Sequence, residues 1–301
     1  MPFLRKRSVD RELHVYLTYK IRLIKQSVFR ASEGERFLKR SYKNFFGRDL
    51  NTENLLLFSE KLFNKMILLN RHKDTSLNHL VDKFLARSYV AELIGEKYLT
   101  KLIWRGADPR TIPFDELPTK CIAKTNHGSG GNIVLDSTTD RAYAVKRLSG
   151  WLKDDFYWAG REHQYYGISP QVMIEEFLDD GEPDGPLDYR FWCFNGKPEL
   201  VQIDNHRHSL HSFYDTSWNK LPLYYRDGCD NADIAQPANY QEMLRISSEL
   251  SSGFDFVRID LYNIFGKIRF GEFTFTPVGG RLKLRPEPWD MMLGQKWTAM
   301  K

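Results

Sequence analysis

The chain has 301 residues, of which 42% are hydrophobic and 28% charged, a composition that excludes the disordered and fibrous classes. No apolar run approaches the roughly 18 residues that a membrane-spanning helix requires, and residues 1–20 lack the continuous apolar stretch of a secretory signal. Three cysteines at positions 121, 193 and 229 are an odd number without paired spacing, so neither a disulfide framework nor a zinc site is expected. These features favour a cytoplasmic protein.

Positive charge is concentrated near the N-terminus. Residues 1–48 carry 13 Lys and Arg against 4 Asp and Glu, a balance of +9, whereas the whole chain carries +5. This basic arm fits either a solvated helical segment or a contact with an anionic partner, such as the inner face of a membrane or a lipid-linked glycan. A nucleic-acid partner is not expected, because no nucleic-acid-binding motif accompanies the arm.

The first third of the chain is predicted to be helical. Apolar residues recur there at three- and four-residue spacing, which indicates about four helices between residues 10 and 104, one of them from Leu80 to Leu93. We therefore expect residues 1–105 to form an N-terminal helical region.

The pattern changes at Gly106, where three prolines and then short β-like runs begin. Two helices are predicted among the strands, Trp151–Tyr166 and Tyr240–Leu250. The predicted class is α+β, with one unit at 106–180 and another at 181–301. The predicted strands are Cys121–Lys124, Ile133–Leu135, Ala142–Val145, Val172–Phe177, Tyr189–Phe194, Glu199–Asp204, Phe256–Tyr262, Ile268–Phe275 and Leu282–Leu284.

A glycine-rich loop lies between two predicted strands. It comprises Gly128, Ser129, Gly130 and Gly131, and Lys124 precedes it at a strand end. Glycines let backbone N–H groups curl around an anion, and a lysine adds positive charge. The same pattern also fits a plain hairpin with a surface lysine. It is not a P-loop, because no Gly-Lys-Ser/Thr opens a following helix.

Two acids near the C-terminus are predicted to meet on a hairpin. Arg258 and Asp260 share one face of a strand, and Glu272 and Thr274 share a face of the next. Adjacent carboxylates repel unless a cation lies between them, and oxygen ligands suit Mg²⁺. The alternative is a surface hairpin with cross-strand ion pairs.

Three further positions are candidates only. The segment Glu175, Glu176, Phe177 and Leu178 ends an apolar strand and fits either an adenine-binding edge or acids exposed to solvent. Lys83, next to Asp82 on the predicted helix, is by itself an ordinary solvated charge pair. Arg190 is suited equally to orienting a substrate carboxylate and to a structural ion pair.

In this order the motifs resemble the ATP-grasp superfamily, and more specifically the TupA-like ATP-grasp family of polysaccharide biosynthesis. The similar stretches include DKFLARSYVAELIGEKYL, LPTKCIAKTNHGSGGNIV, ISPQVMIEEFLDD and VRIDLYNIFGKIRFGEFTFTPVGG, within about residues 78–280. The resemblance implies a fold of two α+β lobes that clamp ATP, preceded here by the helical region.

The resemblance also implies roles for the candidate residues. Lys83 and Lys124 would contact the ATP phosphates, and residues 128–131 would close over them. Residues 175–178 would border the adenine. Asp260 and Glu272 would hold Mg²⁺, and Arg258 would steady the transferred phosphoryl group. Many ATP-grasp ligases have Asn two positions after the metal-binding Glu, where this chain has Thr274.

The implied activity is ATP-dependent joining of a carboxylate to an amine through an acyl-phosphate, with a small molecule or a cell-surface glycan as substrate. Two other enzyme classes remain open. A glycosyltransferase would often show Asp-x-Asp, which the chain lacks. A phosphotransferase would use the same ATP site. A non-enzymatic module that binds anionic glycan or membrane through the basic arm is the third alternative.

Overall fold

The computed structural model describes residues 34–182, 185–207 and 209–298. Most of the basic arm, residues 1–33, lies outside these ranges. The described helices are α1 Gly34–Phe46, α2 Phe58–His72, α3 Asn78–Val81, α4 Ala86–Ile94, α5 Arg141–Trp151, α6 Phe156–Gly160, α7 Tyr240–Ser251 and α8 Pro288–Lys296. No helix within these ranges has the length and apolar character that crossing a bilayer requires.

Two antiparallel sheets follow the N-terminal helices. The first has four strands in the order β1-β4-β2-β3, and the second has six in the order β10-β9-β5-β6-β7-β8. The predicted α+β class with a helical front is therefore confirmed. The strands are β1 Leu102–Gly106, β2 Lys120–Thr125, β3 Asn132–Asp136, β4 Val172–Glu176, β5 Asp188–Phe194, β6 Lys197–Asp204, β7 His211–Asp215, β8 Lys220–Leu221, β9 Phe256–Ile264 and β10 Lys267–Thr274.

Each sheet is packed against helices by alternating apolar side chains. In the four-stranded sheet, Ala123 and Ile174 pack against Ala144 and Leu148 of α5. In the six-stranded sheet, odd-numbered residues of β9 such as Ile259 join the core that contains α7. Because successive side chains of a strand point to opposite faces, the even-numbered residues of β9 lie on the other face of the sheet.

That opposite face is partly covered by α2 and α8. Phe58 and Leu62 of α2 and Leu293 of α8 are fully buried against Trp192 and Phe256 of the sheet. Fully burying such a side chain contributes about 1.5–3 kcal/mol, so this cluster fixes the helical region on the sheet. The part of the face that these helices leave uncovered carries the polar residues described below.

Two predicted elements between β3 and β4 of the four-stranded sheet differ from the structure. Ala142–Val145, predicted as a strand, lies within α5, because the Asp140 carboxylate caps this helix by accepting the N–H groups of Ala142 and Tyr143. The predicted helix Trp151–Tyr166 is reduced to α6, which ends where Arg161 adopts a left-handed φ of 59°.

Two other predictions were wrong. The predicted helix Leu80–Leu93 is broken into α3 and α4, because Asp82 leaves the helical conformation and its Oδ1 accepts the N–H of Phe84 at 2.8 Å. Leu282–Leu284, predicted as a strand, belongs to no strand, and the neighbouring Arg285 forms an isolated bridge with Tyr224. The predictions missed β1, β7, β8 and α8. Since β1 belongs to the four-stranded sheet, that sheet begins inside the predicted 1–105 region.

Candidate active site

The paired acids lie on the β9–β10 hairpin at the uncovered face of the six-stranded sheet. Glu272 is the cross-strand partner of Asp260, and a register shift at Gly271 precedes this pair. Thr274 is opposite Arg258 in the same ladder. The prediction that the two acids meet on this hairpin is confirmed. The register set by the turn would place Asp260 opposite Gly271, and the bulge shifts it by one residue so that Glu272 takes that position.

The environments of the two carboxyl groups differ. Asp260 is 4% exposed, and both of its oxygens accept from Arg258, with Nε to Oδ1 at 2.7 Å and Nη2 to Oδ2 at 2.6 Å. Burial raises the pKa of Asp260 to about 6, although Arg258 opposes this shift. The side chain of Glu272 is 38% exposed. Burial disfavours its charge, but Lys83 and Arg258 together lower the pKa of Glu272.

Lys83 joins the acid pair to the glycine-rich loop. Its Nζ donates to the carbonyl oxygen of Gly128 at 2.6 Å and lies 3.5 Å from Oε2 of Glu272. The backbone N–H of Lys83 donates to the carbonyl of Asn126 at 3.1 Å, which fixes the lysine beside the loop. Contrary to the prediction, Lys83 lies in the break between α3 and α4 and not on a helix.

The glycine-rich loop needs its glycines for close packing. A Cβ on Gly128 would lie 2.8 Å from the ring of Phe156, and one on Gly131 would lie 2.5 Å from Oγ1 of Thr125. Gly130 adopts a φ of +80°, which side chains disfavour. Ser129 and Gly130 are exposed at the tip. The loop is thus narrow, anchored at both ends and open to solvent between them.

Lys124 lies on the face of the four-stranded sheet opposite to the one that packs against α5. Its Nζ lies 2.9 Å from Oε2 of Glu175, and Nη1 of Arg87 lies 2.8 Å from the other carboxylate oxygen. The side chain of Glu175 is only 9% exposed, whereas that of Lys124 is 27% exposed. Arg87 was not predicted as a site residue, because its pairing with Glu175 depends on how α4 packs against β4.

Residues 176–178 form the start of the connection between the two sheets. Glu176 ends β4, and its Oε1 accepts the backbone N–H of Lys101 at 3.0 Å. The ring of Phe177 lies under the ammonium of Lys120 at 3.9 Å, and Leu178 is partly buried. The segment is therefore held by contacts with Lys101, next to β1, and with Lys120 of β2. From it the chain continues to β5 of the six-stranded sheet.

Arg190 does not present a free guanidinium. It contacts Asp204, its Nη2 lies 2.8 Å from Asp188, and its Nε lies 3.6 Å from Oδ2 of Asp260. Although burial opposes its charge, the carboxylates of Asp188, Asp260 and Asp204 raise the pKa of Arg190. Of the two interpretations of Arg190, the structure therefore shows the ion-pair arrangement. Asp204, which the sequence did not single out, lies at the centre of it.

The donor set at the hairpin fits a hard divalent cation. Mg²⁺ in nucleotide sites is usually bound by one or two carboxylates together with substrate phosphates. Asp260 and Glu272 supply two such groups, and the hydroxyl of Thr274 lies 3.4 Å from Oε1 of Glu272. Within the described ranges no group of three or more His, Cys, Asp or Glu side chains is arranged to hold a metal ion. At a two-carboxylate site, phosphate oxygens and water would supply the remaining ligands.

Comparison with known proteins agrees with this geometry. Residues 60–298 match the model of the family described as TupA-like ATPgrasp. No curated protein sequence matches the chain.

Solved structures that are similar to this chain have low sequence identity to it. D-alanine--D-alanine ligase from Bacillus anthracis complexed with ATP is 14% identical, with a TM-score of 0.39 over 65% of this chain and 54% of the ligase chain. ATP-grasp ligase PsnB complexed with minimal precursor, Mg and ADP is 12% identical, with a TM-score of 0.42 over 88% and 75% of the two chains. Macrocyclase MdnC from Microcystis aeruginosa MRC, bound with precursor peptide MdnA, is 14% identical, with a TM-score of 0.37 over 78% and 69%.

The chain thus spans about half the length of the D-alanine ligase that it matches. The family match extends over most of the sequence, both sheets and every candidate site residue. The chain belongs to the TupA-like ATP-grasp family.

Proposed function

We propose that the protein is an ATP-dependent carboxylate–amine ligase that forms an acyl-phosphate and releases ADP. The observation that carries the proposal is the position of Lys83, which contacts Gly128 of the glycine-rich loop at 2.6 Å and Glu272 of the acid pair at 3.5 Å. One ammonium group therefore lies where a loop suited to phosphate meets acids suited to Mg²⁺. A triphosphate bound between the glycine-rich loop and the acid pair would therefore contact Lys83.

The proposed site residues fall into three groups. Lys83, Lys124 and the loop residues Gly128, Ser129, Gly130 and Gly131 bind the phosphates. Glu175, Glu176, Phe177 and Leu178 border the adenine at the connection between the sheets, with Glu175 also holding Lys124 in place. Asp260 and Glu272 bind Mg²⁺, assisted by the hydroxyl of Thr274.

The chemistry follows from the weakness of a carboxylate as an electrophile. A carboxylate oxygen attacks the γ-phosphorus of ATP and the bond to the ADP oxygen breaks, which yields a mixed anhydride. The amine then attacks the acyl carbon, phosphate leaves and the nitrogen loses a proton to give the amide. Negative charge on the transferred group is neutralised by Lys83 and Arg258. Bound Mg²⁺ would supply further charge neutralisation at the phosphates.

Arg190 takes a different role in this proposal from the substrate-binding one considered from sequence. Its side chain is 10% exposed and its guanidinium is engaged by three carboxylates, so it positions Asp260 and does not bind substrate directly. Breaking a buried charge pair lowers the free energy of unfolding. The contact of Arg190 with Asp260 therefore favours one orientation of this proposed metal ligand.

Membership of the TupA-like family supports a role in cell-surface polysaccharide biosynthesis, for example the joining of an amino acid to a uronic acid. The test is ADP release by the full chain against a panel of amino acids combined with uronic-acid glycosides, followed by mass analysis of the product. A ligase requires both substrates and gives an amide. A stable phosphate ester formed without the amine, as opposed to an acyl-phosphate that hydroxylamine traps, would identify a phosphotransferase and refute the proposal.

A further inference from the structure

Arg226 lies beside the arginine that positions the acid pair. In the β5–β9 ladder Arg190 is opposite Asp260, and its side chain also contacts Asp204 at the end of β6. Nη1 of Arg226 lies 3.3 Å from Oδ2 of Asp204. Only β5 separates β9 from β6, and neighbouring strands are about 4.8 Å apart, so the strands that carry the two acids are about 10 Å apart. Arg226 is therefore within the length of a small molecule from the acid pair.

The loop that carries Arg226 is fixed at both ends. Tyr224 exchanges two backbone hydrogen bonds with Arg285, at 3.0 and 2.8 Å. At the other end, the carbonyl of Asp230 accepts the N–H of His211 at 2.8 Å. A short segment held between two such contacts has few backbone conformations left to it. The backbone of Arg226 therefore needs little ordering when a ligand binds, which favours affinity.

The residue before Arg226 ties the loop to the sheet. The hydroxyl of Tyr225 accepts from Nε2 of Gln202 at 2.9 Å, and the same nitrogen donates to Oδ2 of Asp204 at 3.0 Å. Gln202 is fully buried, so these hydrogen bonds are shielded from water. The ring of Tyr225 also packs edge-on against His211, with 4.4 Å between the ring centroids. Tyr225 therefore fixes the position from which the side chain of Arg226 starts.

Most of the hydrogen-bonding capacity of Arg226 is unused. A guanidinium has several N–H donors in a fixed fork, and among the described residues the carboxylate within ion-pair distance of this one is that of Asp204. Asp204 already accepts from three other side chains, those of Arg190, Gln202 and His211. The side chain of Arg226 is 30% exposed, whereas that of Arg190 is 10% exposed. Of the two arginines at Asp204, Arg226 is therefore the one that a ligand can reach.

The neighbouring acids on this face are engaged by other arginines. Asp188 lies 2.8 Å from Nη2 of Arg190. Both oxygens of Asp260 accept from Arg258. Asp227, which follows Arg226 in the chain, is exposed and forms no ion pair with it in the described ranges. The charge of Arg226 is therefore balanced only by a carboxylate that it shares with Arg190, and an anionic ligand would complete its pairing.

We propose that Arg226 binds a carboxylate of the amine substrate and so makes the enzyme specific for amines that are themselves acids. This inference rests on the proposed ligase function and names a residue that determines its specificity. Arginine binds a carboxylate through two parallel charge-assisted hydrogen bonds. The acid pair and Arg258 are assigned to the phosphorylated carboxylate, so a second carboxylate held two strands away belongs to the other reactant. An amine anchored at Arg226 approaches the acyl carbon from the β6 side of the sheet.

The test compares an amino acid with its carboxamides, in which each carboxylate in turn is made neutral. Saturation-transfer NMR of the full chain with Mg²⁺, a non-hydrolysable ATP analogue and an equimolar mixture of the common amino acids identifies the amine that binds. That amino acid and its carboxamides are then titrated against wild type and Arg226→Gln. One carboxamide should bind wild type at least about tenfold more weakly than the amino acid, or about 1.4 kcal/mol, and Arg226→Gln should bind the two equally. Binding of no amino acid to wild type would overturn the inference.

Two features of the design separate binding from a structural role. Asp204 keeps three other partners in Arg226→Gln, so this variant should unfold at the same urea concentration as wild type. Arg245→Gln is the matched control, because Arg245 pairs with Glu249 at 2.7 Å on α7, at the other face of the sheet. The control should keep the full discrimination. If Arg226→Gln weakened the amino acid and its carboxamides by the same factor, Arg226 would have only a structural role and the inference would be wrong.

The outcome is separable from that of the ligase proposal. The titrations need no turnover, so discrimination that Arg226→Gln removes would support the binding site even in a chain that releases no ADP, whereas the ligase proposal would then fail. Conversely, amide formation with equal KM values for an amino acid and its carboxamides would retain the ligase and refute this inference. A rise in the KM of the carboxylate substrate alone in Arg226→Gln would assign Arg226 to that substrate and also refute it.

Discussion

Replacing Glu272 with Gln removes the negative charge of one proposed metal ligand and keeps the shape of its side chain. The carboxylate lies 3.5 Å from Lys83 and 3.9 Å from Arg258, and its side chain is 38% exposed. Pairs with this much solvent contact contribute about 0.2–1 kcal/mol. We therefore expect the free energy of unfolding to fall by no more than about 1 kcal/mol, which leaves the protein folded.

The effect on catalysis should be far larger. Charge stabilisation by a bound metal contributes several kcal/mol to a transition state, and about 4 kcal/mol corresponds to about a thousandfold in rate. Glu272→Gln removes one of two anionic ligands, so the rate of ADP release should fall by about a thousandfold. Raising the Mg²⁺ concentration should recover part of this loss.

The assay couples ADP release to NADH oxidation across a Mg²⁺ titration, with urea unfolding measured on the same preparation. Glu242→Gln is the matched control, because Glu242 is 40% exposed and lies 3.7 Å from Lys97 and 4.0 Å from Arg245, on α7 at the other face of the sheet. The control should keep full activity. Activity within tenfold of wild type in Glu272→Gln would refute the assignment of the acid pair.

Three further outcomes follow. Lys124→Ala should abolish nucleotide binding in calorimetry while leaving the fold intact, because Glu175 retains Arg87 as a partner at 2.8 Å. Asp204→Asn should lower the free energy of unfolding by about 3–5 kcal/mol in urea, because the fully buried Asp204 balances Arg190. Burial raises the pKa of Asp260 to about 6, so below that pH a proton competes with Mg²⁺. The Mg²⁺ concentration for half-maximal activity should rise as pH falls from 7 to 5, and a flat profile would contradict this.

The meeting of the two acids was predicted, but only part of its cause is local. Period-two alternation places Arg258 with Asp260, and Glu272 with Thr274, and the turn at Phe265-Gly266 sets a register in which Phe270 is opposite Leu261. Continued without a break, that register would place Asp260 opposite Gly271. The bulge at Gly271 shifts the register by one residue and so brings Glu272 opposite Asp260. Alternation in the sequence does not reveal this bulge.

The setting of Lys83 was less predictable, because a tertiary contact overrides helical periodicity there. Apolar spacing across residues 80–93 predicts one helix, yet Asp82 breaks it by accepting from the N–H of Phe84, and its other oxygen accepts from Asn126 at 2.8 Å. The break lets the Lys83 N–H donate to the carbonyl of Asn126. The spacing of apolar residues contains no information about a polar side chain from a distant loop, here that of Asn126.

The surroundings of Arg190 combine a local hairpin with one distant strand. Asp188 lies on the same strand as Arg190, and Asp204 reaches the guanidinium from the end of β6, the next strand along the chain. Asp260 is opposite Arg190 on β9, about 70 residues later. That third contact could not be predicted from local pattern, because it requires the strand order of the sheet.

The two arginines beside Asp260 explain how a buried carboxyl group can serve a metal. At 4% exposure an isolated carboxylate would be protonated at neutral pH, and Arg258 and Arg190 offset much of the cost of its charge. A carboxylate has about four lone-pair sites, and Arg258 occupies one on each oxygen, which leaves acceptor capacity for a cation. Glu272 is more exposed, and Lys83, together with Arg258, favours its ionised form. In the proposed metal site the pair therefore combines a rigid, internally neutralised carboxylate with an accessible one, which is an arrangement suited to a metal that arrives with its nucleotide.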